Sequence, residues 1–483
     1  MLYISAFFKI YLKGLLRFLA FFVIATAVFP LDDVLAQGAV TYEQPVFKDS
    51  IPKPRHRNRN RTKHFGRAAI ELGVTEILPW TWDKFLKRAD YANISWKTVG
   101  HNFTPSNWTW DDDNFQTNQF GHPFHGSQFY NAFRSNGYTF WQSAPAAVVG
   151  SYIWESTAEN QPPAVNDLIN TSFGGIILGE MTYRLANKIA NNNQTGVRRQ
   201  MSEVFALLIN PANGINRILD GNWGKPGRNP KRDSSEITAE IDLGVRTFNR
   251  DNSNILHNSN YGWYGHAKLL YGTPYKDYET PFSNISINVE LGKDDSSLVN
   301  MVSVYGSLAG WEIKSNEKLQ HLLTLSANYD FWHNSAFFYG GQSVQANFLS
   351  EYDLSKKTKI TTSFGAGPVL LAAIPDPYLR LPHGRNYDYG TGAAFNAGGQ
   401  LLLFNTLSYG INYRGSWTVT ENGHPSHYLV HAVSSEATLN IIKGFAFSIE
   451  SGYFTLHGVY KDYANVDKKY PYLRLSTRYT MNF

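Results

Sequence analysis

From Ile237 onward the chain alternates. Ile237, Ala239, Ile241, Leu243 and Val245 occupy every second place, with Thr238, Glu240, Asp242, Gly244 and Arg246 between them. Successive side chains of a β-strand point to opposite faces, so such a run is a strand with one apolar and one polar face. The same dyad recurs at 285–292, 323–331, 407–417 and 445–450, and again at 473–483, the last residues of the chain. Its polar positions include charges of both signs: Glu240, Asp242, Arg246, Glu290, Asp330, Arg414, Glu450, Arg474 and Arg478. Apolar outside and charged inside is the pattern of a sheet whose exterior meets hydrocarbon and whose interior holds water or ion pairs. An open sheet there would leave edge N–H and C=O groups unsatisfied, so the sheet must close on itself.

The final run, with Tyr479, Met481 and Phe483 on its apolar face, resembles the terminal strand of bacterial outer-membrane β-barrels. That resemblance implies that these three residues form a signal for barrel-assembly machinery, and that outer-membrane lipids surround the chain. Turn pairs such as Asn316-Glu317, Ser355-Lys356, Asn422-Gly423 and Lys443-Gly444 separate the runs. Residues 235–483 are therefore expected to form an antiparallel transmembrane barrel of about 12 strands. Small barrels fill with side chains, so the lumen charges are read first as an ion-pair filling and second as a selectivity lining. A soluble lipocalin-like or sandwich domain is the competing reading of the same alternation.

The absence of cysteine excludes disulfide scaffolds, thiolate metal sites and a lipid-modified N-terminal Cys. Residues 1–36 read as a secretory signal: Lys9, Lys13 and Arg17 precede the apolar run 18–29, and Val34 and Ala36 suit cleavage before Gln37. Residues 37–67 are expected to be a basic tether, with Arg or Lys alternating through 53–63. An exported chain with one isolated basic cluster gives no reason to expect a nucleic-acid partner.

Residues 68–225 lack the alternation and read as helical. The overall class is thus α+β, a helical domain followed by a barrel, with the helices in the periplasm or inside the barrel. Gln128 to Glu159 reads as one helix or a broken pair, with Gly137 and Pro145 as interruptions. Asn166 or Asp167 is expected to cap a helix broken near Phe173, and another helix from Arg198 is expected to stop near Pro211. Gly174, Gly175 and Gly179 make a smooth strip where a second backbone could approach.

His125, Glu155 and Glu180 have the residue types of acid–base catalysis, and form the candidate catalytic set. His122, Asn131, Arg134, Asp167 and Arg184 form a polar network around them, with Glu180 and Arg184 paired at i,i+4. Pro123 between the two histidines favours a turn, and no HExxH, GxSxG or Walker loop occurs. No metal or cofactor is therefore expected, and a structural His–carboxylate–Arg network is preferred to catalysis.

Three blocks, residues 120–145, 152–155 and 166–185, resemble in order the Bacteroidetes-type domain of unknown function 3943, over about residues 65–200. The resemblance implies an exported, envelope-associated protein and supplies no activity. Two functions follow: a non-enzymatic barrel that organises the envelope or passes a small or apolar solute, or an outer-membrane enzyme acting on a lipid or envelope glycan through the His/Glu set. The ligand is unknown.

Overall fold

The structure, a computed structural model, describes residues 62–226, 235–250, 255, 259–294, 297–316 and 318–482. The signal and most of the basic tether lie outside the described residues, as does Phe483.

Twelve antiparallel strands close into one barrel in which every strand pairs with its chain neighbours and β1 pairs with β12. They are β1 Ile237–Phe248, β2 Asn260–Tyr271, β3 Ile285–Gly292, β4 Val299–Asn316, β5 Leu319–His333, β6 Phe338–Ser355, β7 Thr358–Pro375, β8 Tyr387–Leu403, β9 Leu407–Asn422, β10 Ser426–Ile442, β11 Phe445–Tyr460 and β12 Val466–Asn482. The soluble sandwich is excluded, because a closed ring leaves no second sheet. Ser355 and Thr358, Leu403 and Leu407, and Ile442 and Phe445 mark tight turns at one end. β1 begins and β12 ends there, since Thr238 pairs with Asn482. The opposite end carries the connection between Pro375 and Tyr387, while the connection between Tyr271 and Ile285 lies at the tight-turn end. Tight turns face the periplasm in barrels of this kind.

Contacts between non-adjacent strands identify the lumen face. Trp332 of β5 meets Phe454 of β11, half the ring away, with centroids 5.6 Å apart. Below them Arg474 bridges Glu290 (2.7 Å) and Glu450 (3.2 Å), and Arg246 reaches Glu290 at 2.9 Å. Arg478 holds Asp242 and Glu436, each at 2.7 Å, and Arg414 lies 3.4 Å from Asp330. Glu240 stands 3.6 Å from Lys268. Tyr428, Tyr460, Asp376 and Asp388 join by hydrogen bonds nearer the loops. Side chains of both signs thus pair across the interior, while inward Gln400, Asn412 and Arg414 stay exposed on the β8–β9 side.

The helices are α1 Phe65–Thr81, α2 Trp96–Asn102, α3 His122–Arg134, α4 Phe140–Thr157, α5 Val165–Ile169, α6 Gly175–Ala190, α7 Gly196–Ile209 and α8 Pro211–Leu219. Residues 81–90 belong to a separate compact unit, a π-helical turn with an internal Lys87–Asp83 pair at 2.5 Å. Among the described residues no helix is long and apolar enough to cross a membrane.

Several local expectations change. Gly137, at φ 91°, separates α3 from α4, while Pro145 lies inside α4 without ending it. Pro123 makes no turn: it sits in the first turn of α3, where its missing N–H costs nothing. Ala164, not Asn166 or Asp167, stands at the cap of α5. The helix is not broken near Phe173; a π-turn at Asn170–Gly174 carries α5 into α6. Pro211 starts α8 with Asn210 as its cap, rather than only ending α7.

The helices do not occupy the lumen. They pack on the outer wall. In β5 the inward positions are Asn328, Asp330 and Trp332, so Tyr329 and Phe331 face outward. Both are only 1% exposed. Tyr329 donates its hydroxyl to the Gln119 carbonyl, and Phe331 meets Phe115 and Phe120, centroids 5.5 and 4.3 Å away. Outward Gln342 of β6 donates to Asn170 at 3.1 Å. Outward Tyr387 and Tyr389 of β8 are fully buried against Asn118 and Asn166. At the tight-turn end Arg184 donates to the Pro281 carbonyl, and Phe140 stacks on Phe282 at 5.6 Å. The wall left uncovered is different: outward Ile411, Phe447 and Leu475 are about half exposed (48, 56 and 53%).

Candidate functional site

The three proposed catalytic side chains stand in separate places. His125 bonds the Thr75 carbonyl through Nε2 (2.9 Å) and packs on Phe129 and Trp154. Glu180 lies between α3 and α6, where it accepts from Tyr130 (2.5 Å), Arg134 (2.6 and 3.0 Å) and Arg184 (2.9 Å). Burial alone would raise its pKa, but the two guanidiniums hold it below the usual glutamate value. Asn131 lies apart from this bridge and donates to Thr182 at 3.2 Å.

Glu155 belongs to another assembly. Its Oε2 accepts the Ala164 N–H at 2.9 Å, which caps α5. The start of α5 then sets Asn166 and Asp167 one turn above it. Asn166 donates from Nδ2 to Asp167 (2.7 Å) and to Asp111 (2.7 Å), and meets the Tyr389 hydroxyl at 2.9 Å. His122, at the first position of α3, places Nε2 3.4 Å from Asp167. The segment before α3 contributes Asp111 and Asp113, and Asp113 bridges to Gly384 of the β7–β8 connection. Ligand atoms of His122, Glu155 and Asp167 lie within 4.8 Å of one another, and so do those of Asp111, Asp113 and His122.

The electrostatics of this cluster are one-sided. Burial, then neighbouring carboxylates, push Glu155 and Asp167 well above their ordinary values. Burial and Asp111 raise Asp113 to about 6. Burial lowers His122, opposed by Asp111. Each shift marks a carboxylate whose charged form is disfavoured where it stands, the setting in which a cation would be most stabilising.

The sequence did not point to Asp111, Asp113, Asn118, Tyr387 or Tyr389. The run Asp111-Asp112-Asp113 was visible, but nothing in its spacing ties it to Glu155. The structure also turns His122 toward the acids and His125 away from them.

The family described as "Domain of unknown function (DUF3943)" matches residues 107–212, which span the cluster and α3 through α7. That match begins well after the expected start near residue 65. No curated protein matches the chain. Among solved structures, the barrel is similar to the NanC porin at 11% identity, covering 49% of this chain and 98% of that one, TM-score 0.28. An anion-selective porin from Comamonas acidovorans gives 8% identity, 51% and 99% coverage and TM-score 0.23. The Pseudomonas putida toluene transporter TodX gives 6%, 52% and 90%, and 0.21.

Proposed function

We propose that this chain is an outer-membrane scaffold, an obstructed barrel that mounts its helical domain in the lipid beside its own wall and so organises the envelope. One observation carries the reading: α4 is inside out. Through its middle turns Ala146, Ala147, Gly150 and Ser151 are buried, while Trp141, Val148, Val149 and Tyr152 are exposed; only near its ends are the large Phe140 and Trp154 buried. Small residues inward and large apolar residues outward is how helices pack when lipid is their solvent.

The obstructed lumen argues against steady solute passage, because Trp332 and Phe454 meet across it and arginine–carboxylate pairs stand below them. In this reading export by the N-terminal signal and recognition of β12 by assembly machinery deliver the chain to the outer membrane.

The cysteine-free chain makes the test direct. A nitroxide on Val149→Cys in reconstituted protein should be accessible to oxygen and shielded from a water-soluble nickel chelate, like one on Leu475→Cys. A label at Val149 that meets the chelate freely places α4 in water and sinks the proposal.

The His122–Glu155–Asp167 convergence favours a second reading, an enzyme acting on lipid or envelope glycan. Total lipid and glycan profiles of cells carrying Glu155→Gln decide it, since a scaffold with an intact fold leaves both unchanged.

A further inference from the structure

Three buried carboxylates elsewhere in the chain are each neutralised by a pair of arginines. Glu180 takes Arg134 and Arg184, Glu203 takes Arg199 and Arg217, and Glu290 takes Arg246 and Arg474. The cluster at the start of α3 departs from that habit. Asp111, Asp113, Glu155 and Asp167 surround one imidazole, and among the described residues no Arg or Lys forms an ion pair with any of them. Arg385 comes near, yet it gives its N–H groups to the backbone carbonyls of Asp111, Tyr387 and Asn422. Buried charges need a partner, and several like charges need one most.

A second observation points the same way. Asn118 is fully buried and aimed at the cluster, its Nδ2 lying 3.0 and 3.3 Å from the Asp111 carboxylate oxygens. Its Oδ1 has no partner. This unpartnered oxygen belongs to the same buried amide that meets Asp111, and it is a ligand type for a hard cation. The other His/acid group of the chain, Asp376, Asp388 and His424, lacks this character. There Asp388 accepts from Thr420, His424, Ser426 and Tyr428, and His424 bonds Asp376 directly.

We propose that His122, Glu155 and Asp167 bind a divalent cation, with Asp111 and Asp113 completing the charge around it. Carboxylate oxygens with one imidazole nitrogen suit manganese or zinc better than calcium or magnesium. The site ties α3, α4 and α5 to the segment that reaches the β7–β8 connection. The cation would therefore fasten the helical domain to the barrel wall at its loop end. This inference stands apart from the scaffold reading, since the cluster is the same wherever α4 lies.

The test uses the full chain, folded in detergent and stripped with a chelator. Titration with manganese chloride and with zinc chloride should show one equivalent bound to wild type, with a rise in the melting temperature. Asp167→Asn and Glu155→Gln should each weaken binding by more than about 100-fold, beyond the loss seen when a group merely orients a ligand. Wild type that binds neither metal, or equal binding by wild type and both variants, would overturn the proposal.

Discussion

Trp332 on β5 and Phe454 on β11 touch across the barrel, ring centroids 5.6 Å apart and planes inclined at 72°. Five strands lie between them along the ring in either direction, so the contact lies across the barrel's width. Trp332 also packs on Tyr339 at 5.2 Å and is 4% exposed. The interior at this level is a packed core.

Trp332→Ala should therefore behave as a core truncation, costing about 3–5 kcal/mol. Heat-modified gel mobility should show the barrel unfolding at a lower temperature. The coupling between Trp332 and Phe454 in a double-mutant cycle should be about 0.5–1.5 kcal/mol, the range for an edge-to-face pair. Zero coupling would mean that the two rings do not meet. Bilayer recordings of Trp332→Ala should stay silent, because the Arg474 and Arg478 pairs remain beneath.

Glu180 offers a different failure. Glu180→Ala leaves Arg134 and Arg184 beside a hole with no counter-charge, and both are largely buried. Removal of one partner from such a pair costs about 3–5 kcal/mol. Proteolysis should release the helical domain at lower denaturant while the barrel band persists on gels. Glu180 titrates below its unfolded value in the folded chain, so its contribution holds above pH 4.5 and is lost as pH falls below that value. Wild type and Glu180→Ala should thus converge in stability in acid and diverge near neutrality.

The barrel was legible because alternation is local. Each strand announces both faces within a few residues, and the pairing order follows from short connections. The seat of the helices was not legible. An outward Tyr329 or Phe331 looks the same whether lipid or a helix covers it. Gln342 was the available clue, a polar side chain on an outward face that requires the Asn170 partner it has. The acid cluster was hidden for another reason. Asp111, His122, Glu155 and Asp167 come from four chain segments, brought together by the Thr109–Ala164 bridge, the π-turns and the Gly126–Gly175 crossing. The resemblance in residues 120–185 covered the right block without saying which of its polar residues meet.

Glu76 of α1 predicts a pH effect of the opposite sign. Both its carboxylate oxygens are buried without a donor, and burial raises its pKa from 4.5 to about 8. The folded chain therefore holds this proton more tightly than the unfolded chain. The associated stability is fully present below pH 4.5 and declines as pH rises through about 8. Glu76→Gln keeps the shape and removes the charge. It should raise the melting temperature at pH 8 and flatten the profile between pH 5 and about 8, leaving acid stability unchanged. A variant no more stable than wild type at pH 8 would show that Glu76 already meets water.

Gly175 tests the helix crossing on which the rest depends. A Cβ built there would lie 2.4 Å from the carbonyl carbon of Gly126, backbone against backbone. Gly126 meets the same limit from the other side, 1.8 Å from the Thr171 carbonyl oxygen. Neither glycine has a positive φ, so strain of conformation plays no part and the constraint is close approach alone. Gly175→Ala must push α3 away from α6 by an ångström or more, and overpacking of this kind costs about 1–3 kcal/mol. The displacement would also carry His122 away from Asp167, because both flank that crossing. Hydrogen exchange should therefore rise in α3 and α6 but not in β9 through β12, whose outward faces those helices never touch. Gly179→Ala should act in the same direction, because its Cβ would meet the buried Tyr130 ring at 2.5 Å while that ring is held by its bond to Glu180. Equal exchange in Gly175→Ala and wild type would mean that the two helices do not cross at these glycines.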